Sequence, residues 1–489
     1  MFFKFLNKEN IRKYWFFYIC LAVYLIAAFS LYAFSTSPLY PNDYGIDSAI
    51  YRYFGRCVLD GQTVYKDVWD NKGPVLYLIQ AIGMLRGYRN DKITIIYLMQ
   101  LAAMFISIGF MWKINNLFFA SKRKTLNFIF SLIVAMTYFC AIIDGGNRCE
   151  EWSLPMICCS LYYFFRYISK ADYEIDHPIK YAFIHGICFG LIAFISLKNT
   201  VTICVGAAFI GIFLMINKQW KNLWHNFLAG CLGILIDAIP IFAYFLLKDA
   251  LDEMLYANFI YNFKYSSSRF LKFTGEEFII RYAPFAVSYL LIFIHFIKKP
   301  RNIRLVDVMT LAFVTSNLLL LIKTNIYGYY FLIYIPILML TMILYLDFKK
   351  SYIPELLIAI SIFCLGISKC IELGKVYFRP VHEPFYPTAS LYLPKSERNS
   401  VIAYDAPAEI YLQLNITPIT RFSVSQTIIF PIEPKFKDEY LDDLYTKNPK
   451  WIITLCDPSN QMPEMRQLIE QDYEYRFSDR PVCFYRIKK

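Results

Sequence analysis

Apolar residues run along most of this chain in stretches of about twenty, separated by short polar turns. A bilayer-crossing helix needs about 17–25 such residues, and eleven stretches reach or approach that length. They are Tyr14–Phe34, Ile93–Trp112, Leu126–Ile143, Trp152–Ser169, Tyr181–Leu197, Thr200–Ile216, Phe227–Leu247, Tyr282–Ile297, Leu305–Ile322, Tyr327–Leu346 and Ile353–Ile367. The pattern predicts an α-helical polytopic membrane protein. After about residue 370 it changes. Val401–Tyr404 and Trp451–Leu455 are short apolar runs bounded by polar or turn residues, the form of buried strands. Ala408–Leu414, Asp438–Tyr445 and Glu464–Gln471 have helical spacing, and Phe484–Ile487 reads as a closing strand. Strand–helix alternation predicts a small α/β domain with a parallel or mixed sheet. The expected division is therefore a transmembrane domain over 1–370, carrying a long polar loop at 35–92, and a second domain over 371–489.

Composition agrees with a membrane chain: of 489 residues 57% are hydrophobic and 18% charged, against about 25% charged in an ordinary soluble protein. The net charge of +12 does not point to nucleic acid, because residues 371–489 hold 15 basic and 16 acidic side chains. The basic excess lies between the apolar stretches, where it sets topology. With the N-terminus in the cytosol, every cytosolic loop is basic, as at Lys122-Arg123-Lys124, Lys218 with Lys221, and Lys298 to Arg304. The short outer turns carry little, namely Arg148, Lys198 and Lys323. An odd number of spans then places the last 119 residues outside. Two longer segments also face outward, residues 35–92 and about 248–281.

The first of these holds seven basic and six acidic residues among its 58. Its apolar stretch, Val75–Leu85, is too short to span and suits a helix lying at the interface. Asp47 to Arg56 reads as a helix on which Asp47, Tyr51 and Gly55 share a face. Asp43 lies just upstream, Asp60, Asp67 and Asp70 follow, and Lys72 ends the polar stretch. Carboxylates beside a lysine at a membrane surface suit orientation of a lipid phosphate and general-base chemistry, against the plainer reading of a solvated loop. The second outward hairpin, Asp144 to Trp152, puts three carboxylates and Arg148 into nine residues, with Gly145-Gly146 for the turn. Asp237 falls inside an apolar span, where an ionisable group is expensive, although Pro240 nearby offers it a backbone role. Thirteen cysteines contain no CxxC; Cys456 and Cys483 fall in the outer domain, where they are free to pair.

The residues of the first loop resemble the GT-C superfamily of polyprenyl-phosphate-sugar glycosyltransferases. They resemble in particular the branch containing the protein O-mannosyltransferases and the lipid A aminoarabinose transferase. The resemblance lies in Asp47-Ser-Ala-Ile-Tyr51, then Gly61-Gln-Thr-Val-Tyr65, then Asp70-Asn-Lys72-Gly73-Pro74 before an interfacial helix. Asn147 ahead of Glu150-Glu151, and Tyr329-Tyr330 ahead of Pro336, resemble further elements of the family. A Gly-Pro follows Lys72 where the family has Pro-Pro. What the resemblance implies is an inverting transferase with Asp47 as catalytic base and Lys72 on the donor phosphate. Glu150 or Glu151 would support the acceptor, the base or a divalent metal ion, and Arg52 or Arg148 would assist Lys72. Lys198, between two spans, faces the same outer cavity. No histidine matches a ligand position, so a metal requirement is left open.

The reading is a membrane enzyme that moves a sugar from a polyprenyl-phosphate donor to a lipid, glycan or protein acceptor on the outer face. The family implies the bacterial inner membrane, with membrane lipids as surroundings and no nucleic-acid partner. The rivals are a secondary transporter, which would show repeated halves with broken mid-membrane helices, and a non-catalytic membrane scaffold, which leaves Asp47, Lys72 and Glu150-Glu151 without a purpose.

Overall fold

The computed structural model describes residues 35–37, 45–85, 94–118, 145–170, 175–267, 275–298, 303–322, 328–345 and 386–488. The spans expected over Tyr14–Phe34, Leu126–Ile143 and Ile353–Ile367 lie outside these residues, as do Asp43 and Asp144. The other eight fall on helices. In chain order the helices are α1 (Ile46–Leu59), α2 (Pro74–Met84), α3 (Thr94–Phe118), α4 (Cys149–Ile168), α5 (Ile179–Ala193) and α6 (Val201–Ile216). Then come α7 (Trp220–Leu247), α8 (Leu251–Leu255), α9 (Tyr261–Ser267), α10 (Gly275–Lys298), α11 (Leu305–Ile322) and α12 (Ile335–Tyr345). Among the described residues four helical stretches, Ile95–Phe118, Leu197–Ile216, Trp220–Leu247 and Leu305–Ile322, are long and apolar enough to cross a membrane. The span expected over Tyr327–Leu346 is composite, a 3-10 segment Gly328–Tyr334 running into α12. A stretch of consecutive aromatic and β-branched residues there starts in the tighter helix before relaxing.

The described residues divide into two compact units. The first lies within Met99–Ile241 and Arg269–Phe378. In it α4 packs on α5 and on the 3-10 segment, α6 on α11, and α10 on α12. Its core holds Phe164, Phe165, Phe285, Phe313 and Tyr334, all buried. The α5–α7 crossing is made by small residues: a Cβ on Gly186 would lie 2.1 Å from the Gly230 carbonyl oxygen. Close backbone approach of this kind is how membrane helices gain packing without a hydrophobic driving force. Asp237 lies on α7 against Gly190 of α5, and its Oδ2 is buried without a hydrogen-bond partner among the described residues.

The second unit is built from Ser35–Leu98, Phe242–Ser268 and Arg379–Lys489. Here α1 and α2 pack closely, and a Cβ on Gly55 would stand 2.5 Å from the Gln80 Cβ. The first loop and the tail share one core. Buried Arg56 donates to the carbonyls of Tyr411 and Ile416, and the Trp69 amide donates to the Arg421 carbonyl at 2.9 Å. The Trp69 ring meets Tyr261 and Phe436 edge-on, each at 4.8 Å between centroids.

The tail carries a four-stranded sheet, β1 (Val401–Tyr404), β2 (Trp451–Leu455), β3 (Tyr473–Asp479) and β4 (Val482–Ile487), in the order β1-β2-β4-β3. β1 and β2 are parallel, with Val401 opposite Trp451; β4 runs antiparallel to both β2 and β3. The three anticipated strands are present, and the three helical segments appear as Glu409–Leu414, Pro434–Thr446 and Pro463–Asp472. β3 was not anticipated. Its sequence YEYRFSD is largely polar because it is an edge strand with solvent on much of its surface. Cys456 at the end of β2 is disulfide-bonded to Cys483 on β4.

Candidate active site

In the first unit, Gly145 and Gly146 both have positive φ, and Asn147 follows at φ 59°. Glycine makes this run inexpensive, and asparagine is among the residues that tolerate the left-handed region best. The turn delivers α4 with Glu150 and Glu151 in its first turn. The two glutamates then diverge. Glu151 turns back: its carboxylate accepts from the Asn147 amide at 2.6 Å and from Gln100 Nε2 at 2.9 Å. It satisfies N–H groups at the helix start that have no partner within the helix. Asn147 closes the arrangement, accepting from the Trp152 indole at 2.9 Å. Glu150 instead meets Lys198 Nζ at 2.8 Å, with only 2% of its side chain exposed.

The tyrosine pair completes this cluster. Lys198 Nζ stands 3.2 Å from the centroid of the Tyr330 ring, and the Arg148 guanidinium 4.4 Å from that of Tyr329. Both aromatic faces therefore carry a cation, which strengthens as water is excluded. Glu150, Lys198 and Tyr330 line a small cavity with Asn199, Leu320, Leu321 and Ile333. Five residues singled out from three separate sequence segments thus meet, as two adjoining cation–aromatic pairs with Glu150 bound to the lysine of one. A half-exposed lysine, 29% accessible and balanced by a buried carboxylate, can exchange that partner for an incoming anion.

In the second unit, Asp47 stands partly exposed in the first turn of α1, where the helix dipole favours a carboxylate. Tyr51 and Arg52 behind it are buried, and Arg52 Nη1 donates to the Ser35 carbonyl at 3.1 Å. Arg52 therefore anchors the chain entering α1. Lys72 lies on the turn into α2, which opens with Pro74 at its first position. That turn is heavily braced. The Tyr65 hydroxyl donates to the Lys72 carbonyl at 2.6 Å from a backbone with φ 76°, a conformation a bulky residue holds only when its surroundings impose it. The Tyr77 hydroxyl donates to Asp70 at 2.5 Å, and Lys72 Nζ donates to Asn71 Oδ1 at 3.0 Å. Asp60 pairs loosely with Arg56 at 3.6 Å, and Asp67 accepts from the Thr63 amide at 2.7 Å. Both stabilise the loop itself.

The sequence reading missed Gln100, Asn199 and Asn71, which hold Glu151, Ser153 and Lys72 in turn. Gln100 had a signal, as a polar residue inside an apolar span. Asn71 and Asn199 look ordinary in turns. A divalent metal does not suit this donor set: Glu150 is matched by Lys198 and Glu151 by N–H donors. Among the described residues no three His, Cys, Asp or Glu side chains gather.

The whole fold resembles solved glycosyltransferase structures. ArnT from Cupriavidus metallidurans, bound to undecaprenyl phosphate, aligns over 96% of this chain and 98% of its own, with TM-score 0.62 and 11% identity. The Archaeoglobus fulgidus oligosaccharyltransferase tethered to an acceptor peptide aligns over 98% of this chain and 75% of its own, at TM-score 0.52 and 13% identity. The archaeal oligosaccharyltransferase AglB from that organism, in complex with an inhibitory peptide and a dolichol-phosphate, gives 0.51 at 13% identity over the same shares. These neighbours are GT-C superfamily members, and the fold here is the GT-C fold. No curated relative matches the chain. The sequence profile described as "Putative competence-induced protein Ccs4 N-terminal domain" matches residues 9–353.

Proposed function

This chain belongs to the putative competence-induced protein Ccs4 N-terminal domain family, and we propose that it is an inverting membrane glycosyltransferase. In this reading it takes a sugar from a polyprenyl-phosphate carrier and passes it to a hydroxyl of a lipid, glycan or protein acceptor. The work is done on the outer side of a membrane, with the N-terminus in the cytosol and residues 371–489 outside. The observation that carries it is the first loop: a carboxylate opening a helix and a lysine on a braced turn, in one compact unit of a GT-C fold.

The steps follow from the groups. Asp47 takes the proton of the acceptor hydroxyl as its oxygen bonds to the anomeric carbon. The bond from that carbon to the phosphate oxygen breaks, and its electron pair leaves with the polyprenyl phosphate. Attack opposite the leaving group inverts the anomeric centre. Negative charge grows on the phosphate, so a fixed cation there lowers the barrier rather than only tightening binding. Lys72 supplies it, as a point charge preset by its turn. The first unit carries candidates of its own: Glu150 as an acid, Glu151 as its structural neighbour, and Lys198 and Arg148, held over Tyr330 and Tyr329, as cations able to meet an anion.

The test is transfer of labelled sugar from polyprenyl-phosphate hexoses and pentoses by the purified chain in detergent, with membrane extract supplying acceptors. Label is expected in an acceptor fraction with one of these donors. Failure of all of them, with active extract and a folded protein, would overturn the reading.

A further inference from the structure

The segment after α7 has no motif in the sequence, yet it packs on the Lys72 turn within the second unit. Between α8 and α9 the helix widens into a π turn over Tyr256–Ile260. π turns are rare, destabilising by themselves and concentrated at functional sites. This one loosens the carbonyls of Ala257 and Asn258, and Asn262 Nδ2 donates to the second at 2.8 Å. The same Asn262 amide reaches across to the first loop. Its Nδ2 donates to the Asn71 carbonyl at 2.8 Å, and its Oδ1 accepts from Asn71 Nδ2 at 2.9 Å. The second end of the Asn71 amide, Oδ1, accepts from Lys72 Nζ at 3.0 Å. Asn262, Asn71 and the Lys72 ammonium form one hydrogen-bonded relay, with each amide used at both ends.

The residue before Asn262 also meets the first loop. Tyr261 is 1% exposed, its ring edge-on to Trp69, and its hydroxyl has no partner among the described residues. A buried hydroxyl left unmatched costs about 1–3 kcal/mol, so its retention asks for a ligand. Burial, with Tyr265 and Asp70, raises this phenol above its ordinary value, and Lys72 opposes them. It therefore stays a protonated donor at neutral pH, within the field of Asp70 and Lys72.

We propose that the π turn is the second wall of an anion seat for a lipid-linked phosphate, in which Asn262 positions Lys72 through Asn71 and the Tyr261 hydroxyl donates to the phosphate directly. This rests on the reading that Lys72 meets the donor phosphate. Asn262 is a positioning residue; Tyr261 is a binding one.

The experiment measures binding of undecaprenyl phosphate to the full chain in detergent, with undecaprenol as the phosphate-free arm. Wild type is compared with Lys72→Ala, Asn262→Ala, Tyr261→Phe, and the latter two combined with Lys72→Ala. Lys72→Ala is expected to weaken binding about 10–100-fold, the range for a charge-assisted contact. Asn262→Ala and Tyr261→Phe are each expected to cost about 3–10-fold. Undecaprenol binding should not move. The combinations separate the roles: Asn262→Ala should add nothing once Lys72 is gone, whereas Tyr261→Phe should still cost its share. Wild-type affinity in both single variants, or a full Asn262 penalty without Lys72, overturns the proposal while leaving the role of Lys72 standing. An unaffected Lys72→Ala overturns the parent reading instead, and the seat with it. Tyr261→Phe is nearly isosteric, so the question stays answerable if Asn262→Ala does not fold.

Discussion

Asp47 carries the sharpest consequence at the scale of single residues. Asparagine preserves its size and its place in the first turn of α1 but cannot take a proton at useful pH. Asp47→Asn is expected to fold, bind donor and lose about 10²–10⁴ of the transfer rate. Asp60→Asn weakens a loose, 3.6 Å pairing with Arg56 and should keep most activity. Equal rates for all three proteins would put the base elsewhere. The two glutamates separate by a different readout. Glu151→Ala strips the acceptor from the start of α4, so it should lower thermal stability by about 0.5–2 kcal/mol, the range for a lost cap. Glu150→Gln leaves Lys198 without its counter-charge and should lower transfer with little change in melting. If Glu150→Gln melts early while Glu151→Ala fails only in transfer, the assignments are reversed.

Elements are held in place here by contacts tight enough to test. Gly55 brings α1 against α2, and any Cβ there must displace Gln80 or the Ala81 backbone, which lie 2.5 and 2.9 Å away. Gly55→Ala should therefore destabilise by about 1–3 kcal/mol through overpacking, despite alanine's better helix propensity. A melting temperature equal to or above wild type would show that the two helices part without cost. In the sheet, Glu397 accepts from the Trp451 indole at 2.7 Å and from Arg486 at 2.8 Å. The Trp451 bond first, and then Arg486, outweigh burial and hold this carboxyl below its usual range. A lowered folded value means the contribution is complete above the unfolded value and is lost as pH falls through the folded one. Wild type should thus lose more melting temperature than Glu397→Gln on going from pH 6 to about pH 3. Parallel acid curves for the two proteins would remove Glu397 from the account.

For the molecule as a whole, the test is topology. The tail holds the Cys456–Cys483 disulfide, a bond that persists in oxidising compartments, and the proposed topology sets the basic loops on the opposite, cytosolic side. A membrane-impermeant thiol reagent should label Ser390→Cys, an exposed tail position, in intact spheroplasts. It should not label Ser121→Cys beside Lys122. Labelling of the second and not the first would invert the chain and take the proposed active face with it. The exposed apolar stripe of α2, Leu78, Ile82 and Leu85 at 53%, 43% and 65%, belongs to the same picture. It is the surface an interfacial helix would rest on lipid.

Much of this protein follows from its sequence because the signals are one-dimensional. Long apolar stretches define helices wherever they are placed, since a chain in lipid must bond its own backbone. Alternating loop charge is likewise local. The strands β1, β2 and β4 are legible as short apolar runs, whereas β3 is not, because an edge strand need not be apolar. The first-loop acid and lysine are legible as charges in a segment rich in aromatic residues and glycine beside the membrane. What tertiary structure decided is which side chains meet. Nothing in Glu150-Glu151 says that one turns back to its own helix while the other faces Lys198; that depends on Gln100 and Lys198 arriving from other helices. Nor does the sequence say that the first loop and the tail build a single core around Trp69, or that an asparagine 190 positions downstream holds the lysine turn. Such partners are distant in sequence and individually ordinary. They acquire meaning only through distances of about 3 Å, which packing alone sets.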